Sequence, residues 1–286
     1  MIDLIPVEQH GDFPESTQHM TEKYMLIVPD RKTEGVVLTP VERHGNIWIK
    51  RDDLFEVAGC YGGKARTCYS LAQEAKKLGY SGLVTASART SPQSAIVAKV
   101  ARYLGLTARC HMPTGGYTEM MMLAEASGAE IIQHKAGYNT VIIRHALEDA
   151  RVNRLFDIPF GMRNWEAVTQ TREQVANVPP DVKRIVVTVG SAMSACGILH
   201  GLRDYNRNDI EVLGVVVGAD PVKRLDAFGT IPWRKTLTLV RSPIDYHDSA
   251  DNILDGIYLD PYYEAKCIPF LQQEDLFWDV GIRPPK

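Results

Sequence analysis

Four short segments hold residues of the types that do chemistry. GGKAR, residues 62–66, sets a lysine and an arginine directly after two glycines. Paired glycines permit a tight turn, and the apolar spacing beyond them predicts a helix. Lys64 and Arg66 then stand in its first turn, where the positive end of the backbone dipole disfavours cations. Such a placement calls for an anion nearby. Desolvation and cationic neighbours would lower the pKa of Lys64 and make its amine a better Schiff-base nucleophile. The plainer alternative is a solvated lysine after a glycine turn.

VGSAMSACG, residues 189–197, follows the apolar run RIVVTV and opens another helix. Gly190, Ser191, Ala192, Met193 and Ser194 offer backbone N–H groups and two hydroxyls at a helix N-terminus, a ready anion site. The segment is neither a Gly-Lys-Ser/Thr loop nor G-x-G-x-x-G, and an ordinary strand-to-helix turn would also use small residues. SARTSPQS, residues 87–94, carries four hydroxyl residues between a strand and a helix. Its Ser91 lies near the helix start, where serine also serves as a cap. LDPYYEAK, residues 259–266, puts Tyr262 and Tyr263 beside Glu264. Packed tyrosines and a solvated carboxylate are the alternative there.

The elements that must position these residues alternate along the chain. Strands are predicted at 46–51, 82–86, 107–112, 130–133, 184–189 and 211–217. Helices are predicted at 64–78, 93–104, 119–127, 141–155 and 194–203. Gly79 and Gly105 stop the first two. The polar stretch before residue 36 reads as an arm or irregular cap. Strands alternating with helices imply parallel sheets covered on both faces. Ligands of such sheets sit beyond the carboxyl ends of the strands, which is where the 87–94 and 190–194 loops fall. The expected architecture is two three-layer α/β lobes with a cleft between them.

Composition narrows the function classes. The 286 residues are 45% hydrophobic and 23% charged, ordinary for a globular chain and against intrinsic disorder. A net charge of −3 gives no global field for nucleic acid or an anionic membrane. No apolar run approaches the ~18–20 residues of a membrane span, and the N-terminal residues lack the pattern of a secretory signal. The five cysteines include no C-x-x-C pair, so a disulfide framework or zinc site is not expected and a reduced, cytoplasmic setting is. The eight histidines form no H-E-x-x-H pattern, and no metal site is expected. No G-x-S-x-G elbow is present.

Taken in order, the four segments resemble the fold-type II (tryptophan synthase β-like) pyridoxal-phosphate enzymes, and most of all their 1-aminocyclopropane-1-carboxylate deaminase and D-cysteine desulfhydrase branch. TPVERHGNIWIKRDDL, residues 39–54, is similar to that branch's entry segment, and YGGKAR to its Gly-Gly-Asn-Lys-x-Arg. TSPQS is similar to its Ser-Asn-(His/Gln)-Thr loop, GSAMSACG to its phosphate loop, and DPYYEAK to its Asp-Pro-x-Tyr-(Glu/Ser)-Gly-Lys. The resemblance implies that Lys64 holds the cofactor as an internal aldimine and then acts as a base. It implies that residues 190–194 hold the phosphate and that Glu264 partners the pyridine nitrogen. Ser91, Tyr263 and, as a weaker candidate, Tyr246 would meet the substrate carboxylate or move protons. A phenol needs a lowered pKa for proton transfer, which a cationic neighbour can supply. The larger, cofactor-binding domain would comprise residues 1–67 and 163–286, with residues 68–162 as the smaller one, and the enzyme would be a homodimer.

Departures from the family pattern bear on the substrate. Pro92 stands where the family has an asparagine that contacts the cofactor ring oxygen, and proline has no amide to offer. Ala192 and Met193 replace glycines of the phosphate loop, where side chains would narrow the approach of the phosphate. Gly63 replaces an asparagine, and Trp278-Asp279-Val280-Gly281 replaces a His-Thr-Gly-Gly segment. The chain reads as a shortened member. The leading expectation is a deaminase, lyase or desulfhydrase acting on a small amino acid. A second is an enzyme acting on an amino-acid group attached to a nucleotide or polymer, with Arg151, Arg154, Arg172, Lys223 and Arg224 as a basic rim. A third is a non-catalytic binding protein on the same fold.

Overall fold

The computed structural model describes residues 37–135, 137–230, 232–281 and 283. The expected N-terminal arm lies outside them. A hairpin of β1 (Val41–His44) and β2 (Ile47–Arg51) leads to a short hairpin, β3 (Glu56–Val57) and β4 (Cys60–Tyr61), and then to α1 (Gly62–Lys77). There follow β5 (Gly82–Ala86), α2 (Gln93–Leu104), β6 (Thr107–Pro113), α3 (Glu119–Ala126), β7 (Ala129–His134), α4 (Asn139–Asn153) and β8 (Phe156–Ile158). Next come α5 (Trp165–Glu173), β9 (Arg184–Val189), α6 (Met193–Asp204), β10 (Glu211–Val216), α7 (Val222–Phe228) and β11 (Leu237–Arg241). A last hairpin of β12 (Ile253–Leu254) and β13 (Ile257–Tyr258) precedes β14 (Leu276–Asp279).

Two sheets result. One has the order β7-β6-β5-β8 and is parallel throughout. The other has the order β1-β2-β14-β9-β10-β11, parallel except for the β1/β2 hairpin. Both are covered on their faces. Ile185, Val187 and Val189 of β9 pack in one cluster with Cys196 and Ile198 of α6. Val186, pointing the other way, packs with Ile49, Leu259, Cys267 and Phe277. Helix α1 lays Ala65, Cys68, Leu71, Ala72 and Ala75 into the core over the four-stranded sheet, against Ile96, Val97 and Phe156. This is a mixed α/β fold with mainly parallel sheets. Among the described residues no helix is long and apolar enough to cross a membrane.

Strand β14 is not among the expected strands, although it lies between β2 and β9. All four of its residues are buried, so the alternation that betrays a half-exposed strand is missing. Its continuation fixes the start of α1. Gly62 has φ +84°, and a Cβ there would lie 2.5 Å from both Gly281 Cα and Val280 O. The Gly63 N–H donates to Val280 O at 2.9 Å. The Gly-Gly turn is thus pressed backbone to backbone on residues 280–281, and this contact sets where Lys64 emerges.

The anion called for near α1 is present. Asp52 is buried and pairs with the Arg66 guanidinium, offsetting a cation at the positive helix end. Gly63 also has its reason: a Cβ there would come 3.2 Å from Asp52 Oδ2.

Candidate active site

Lys64 is half-buried in the first turn of α1, and burial lowers its pKa from the ordinary lysine value. The negative charges of Glu264 and Asp260 oppose that shift, and Arg283 reinforces it. The Lys64 Nζ lies 5.7 Å from the centroid of the Tyr263 ring. Glu264 follows directly, at the start of a 3₁₀ turn, Glu264–Phe270. It is 2% exposed, and its Oε2 is buried without a hydrogen-bond partner. Burial, then the charges of Asp260 and Asp279, push its carboxyl well above the usual carboxylate range, with Lys64 opposing. Burial here favours the neutral form of Glu264 over the charged one. An orphaned buried carboxyl beside a lysine is an expensive arrangement, and such sites are candidates for function.

The Tyr263 hydroxyl donates to Thr188 O at 3.3 Å, at the end of β9. Its pKa is raised, by burial first and the Glu264 charge second. Burial dominates here, and Tyr263 is a neutral phenol. Tyr246 is half-exposed with its ring against Gly218. The buried Lys266 holds its loop, donating to Asp245 O at 2.6 Å and Tyr246 O at 3.3 Å.

The 190–194 loop joins β9 to α6. A Cβ on Gly190 would lie 2.8 Å from the Tyr263 hydroxyl, so only glycine lets the loop approach the tyrosine. Ala192 has φ +73° and stands at the helix cap without a side-chain cap bond. The first N–H groups of α6 are therefore free to meet a ligand. Ala192 and Met193 are 3% and 4% exposed and belong to the core cluster over the six-stranded sheet. They do not narrow the loop's open side, contrary to expectation. The φ of Ala192 preserves a glycine-like backbone at about 1–2 kcal/mol of strain.

Ser91 lies in the turn before α2, with its Oγ 3.3 Å from the Gln93 N–H. Among the described residues it makes no hydrogen bond to Lys64, Tyr263 or Glu264. Its loop is instead tied to the others by Arg283, which donates to Thr90 O at 2.5 Å and pairs with Asp260 at 2.8 Å. Pro92 is the cap residue of α2. Gln93 is buried and fully engaged. Its Nε2 donates to Thr85 Oγ1 at 2.8 Å and Pro159 O at 2.9 Å, and its Oε1 accepts from the Gly161 N–H at 2.7 Å. Replacing Gln93 by Met should cost about 1–3 kcal/mol, because Gly161 N–H loses its acceptor in a dry site. Chemical denaturation checks this, and an unchanged midpoint would contradict it.

The supposed basic rim is not one surface. Arg151 pairs with Glu148 on α4, and Arg154 caps that same helix. Arg172 lies 3.5 Å from Asp204. Arg224 touches the loop, donating to Gly190 O at 3.0 Å.

A family model described as pyridoxal-phosphate dependent enzyme matches residues 32–271. The chain belongs to this family. Among curated proteins it is similar to an O-seryl-dTMP PLP-dependent decarboxylase of Salmonella phage ViI, 25% identical over 211 residues, covering 65% of this chain and 49% of that one. It is also similar to the biosynthetic L-threonine dehydratase of Haemophilus influenzae, 26% identical over 221 residues, covering 71% and 40%. It therefore spans less than half the length of these relatives. A solved structure of an ACC deaminase homologue superposes with a TM-score of 0.73 at 21% identity, covering 87% of this chain and 90% of that one. That likeness shows a shared fold.

The cofactor of this pyridoxal-phosphate dependent enzyme is pyridoxal 5'-phosphate, and the site fits it. Glu264 Oε2 is an orphaned buried group suited to the pyridine nitrogen. Gly190 and the free start of α6 form a cradle suited to the phosphate. Lys64 lies beside Glu264 and Tyr263. Pro92 offers no side-chain donor to the ring oxygen. Several residues of the site escaped the sequence reading: Arg163, Asp279, Asp260 and Arg283. Asp279 acts through its charge on Glu264, Arg283 through its contacts with Thr90 and Asp260, and Arg163 through its nearness to Ser191. Asp260 lies within the DPYYEAK motif, but its pairing with Arg283 is not legible there.

Proposed function

We propose that this enzyme breaks a bond at the α- or β-carbon of an amino acid, in a reaction of the deaminase or lyase type, with Lys64 as cofactor anchor and base. The observation that carries the reading is the depressed Lys64 amine set beside a buried, unpartnered Glu264 and the Tyr263 ring. The bound cofactor supplies an electron sink for charge developing at the substrate α-carbon. The chain's own residues do the rest. Lys64 accepts and returns the proton at that carbon. Tyr263, kept neutral by burial, donates a hydrogen bond. Ser91, at the start of α2, meets the substrate carboxylate. A positive partner set against Glu264 favours its ionised form.

A second reading is supported by the O-seryl-dTMP decarboxylase relative: the amino acid is carried on a nucleotide. Both readings place the same residues on the same α-amino acid group. A panel of free amino acids and O-seryl thymidylate, incubated with the cofactor-loaded protein and followed by mass spectrometry, tests them. A keto acid or amine from a free amino acid supports the first reading. Turnover of the nucleotide conjugate alone supports the second. No turnover of any of them would count against both.

The amine also sets a pH dependence. Only neutral Lys64 can attach the cofactor, and its pKa lies below the ordinary 10.5. The rate of covalent loading should rise with pH to a midpoint below that of free lysine. Asp260→Asn removes a charge that favours the ammonium and should move the midpoint lower. A midpoint at the ordinary lysine value, read by stopped-flow absorbance, would contradict this.

A further inference from the structure

Two guanidinium groups converge on the 190–194 loop without an acidic partner. Arg224 reaches Gly190 O at 3.0 Å and Ala219 O at 3.1 Å, and its Nε is buried with no hydrogen-bond partner. Arg163 follows the turn Phe160–Met162 and donates from Nε to Phe160 O at 2.8 Å. A Cβ on Gly161 would touch Ser191 Cβ at 3.0 Å and Arg163 Nε at 3.8 Å, so the Arg163 side chain lies close to the loop at Ser191. Among the described residues neither arginine makes an ion pair, although Arg224 feels the charge of Asp220. Burial lowers the pKa of both, and Arg163, which also feels Arg224, falls to about 10.

Two partly buried like charges at the positive end of α6 destabilise the free protein. The backbone that presents Arg163 is itself strained at Met162, a non-glycine residue with φ +53°, and strain of this kind gathers at ligand clamps. Gln93, through Gly161, holds it in place. A doubly charged phosphate monoester on the loop would neutralise the pair.

We propose that Arg163 and Arg224 form a guanidinium clamp for the cofactor's phosphate, adding charge to the backbone cradle at residues 190–194. The proposal rests on the loop being the cofactor's phosphate site. The clamp discriminates by the phosphate, so pyridoxal, which lacks it, is the control ligand. Equilibrium titration of the apo-protein should show Arg163→Gln and Arg224→Gln each weakening pyridoxal phosphate on the order of 10- to 100-fold, as expected for lost charge-assisted hydrogen bonds. Pyridoxal affinity should stay within about twofold of the parent protein, and inorganic phosphate should compete less well against pyridoxal phosphate in the variants. Arg163→Gln makes no hydrogen bond to the loop at stake, so it separates the clamp from a simple loop collapse. Unchanged pyridoxal phosphate affinity in both variants would overturn the proposal, as would equal losses for the two ligands. Unchanged cofactor affinity with a raised KM for O-seryl thymidylate would instead assign the pair to a substrate phosphate. Failure of both ligands to bind the parent protein would refute the cofactor site itself, not only the clamp.

Discussion

Lys64→Ala is expected to lower turnover by at least about 10³-fold while leaving pyridoxal phosphate bound without a covalent link, because a positioned base alone contributes about 10²–10⁴-fold and the lysine also serves as anchor. Retention follows from the separate phosphate cradle at Gly190 and the start of α6. Lys64 is not part of a hydrophobic core cluster among the described residues, and its amine lies 5.7 Å from the Tyr263 ring centroid, so the fold should survive the truncation. Steady-state assays with the substrate found by the panel check the rate, with methylamine added to replace the missing amine. Partial recovery with methylamine would mark the loss as chemical. An active variant would remove Lys64 from the reaction.

The second large effect is on stability. Gly62→Ala should cost roughly 2–5 kcal/mol, the sum of a side chain in the left-handed region and overpacking. Its Cβ would meet Gly281 Cα and Val280 O at 2.5 Å, and both are backbone. A shift of β14's continuation would follow, displacing the Gly63–Val280 hydrogen bond and with it Lys64. Gly79 provides the control. Its φ is +79°, nearly that of Gly62, but a Cβ there meets nothing within 4 Å. Gly79→Ala should therefore cost only the backbone share, about 1–2 kcal/mol. Urea denaturation of the two variants separates the terms. Equal midpoints would show that the close approach at residues 280–281 is unimportant.

Much of this was legible in the sequence, for identifiable reasons. β5, α2 and β9 lie within short windows whose periodicity is their own, and they fall where the alternation puts them. Lys64, the 190–194 loop, Tyr263 and Glu264 sit in contiguous motifs, so a linear reading finds them. β14 escaped because a strand buried on both faces has no alternation. Gly62 meets Gly281, and Arg283 meets Thr90, across about two hundred positions, and Arg283 reaches Asp260 across an intervening strand. No local pattern announces such contacts. The raised pKa of Tyr263 has the same origin, since burial arises only once distant segments pack together. Ala192 and Met193 were read as obstacles to the phosphate, yet their side chains turn into the core. A sequence gives the residue but not the face it occupies.

Lys64 is proposed as the cofactor's covalent anchor. The direct test is to load the protein with pyridoxal phosphate, reduce it with borohydride, digest it and locate the added mass. The account predicts one stoichiometric adduct, on Lys64, absent in Lys64→Ala. An adduct on Lys50, Lys266 or another lysine, with Lys64 unmodified, would contradict it.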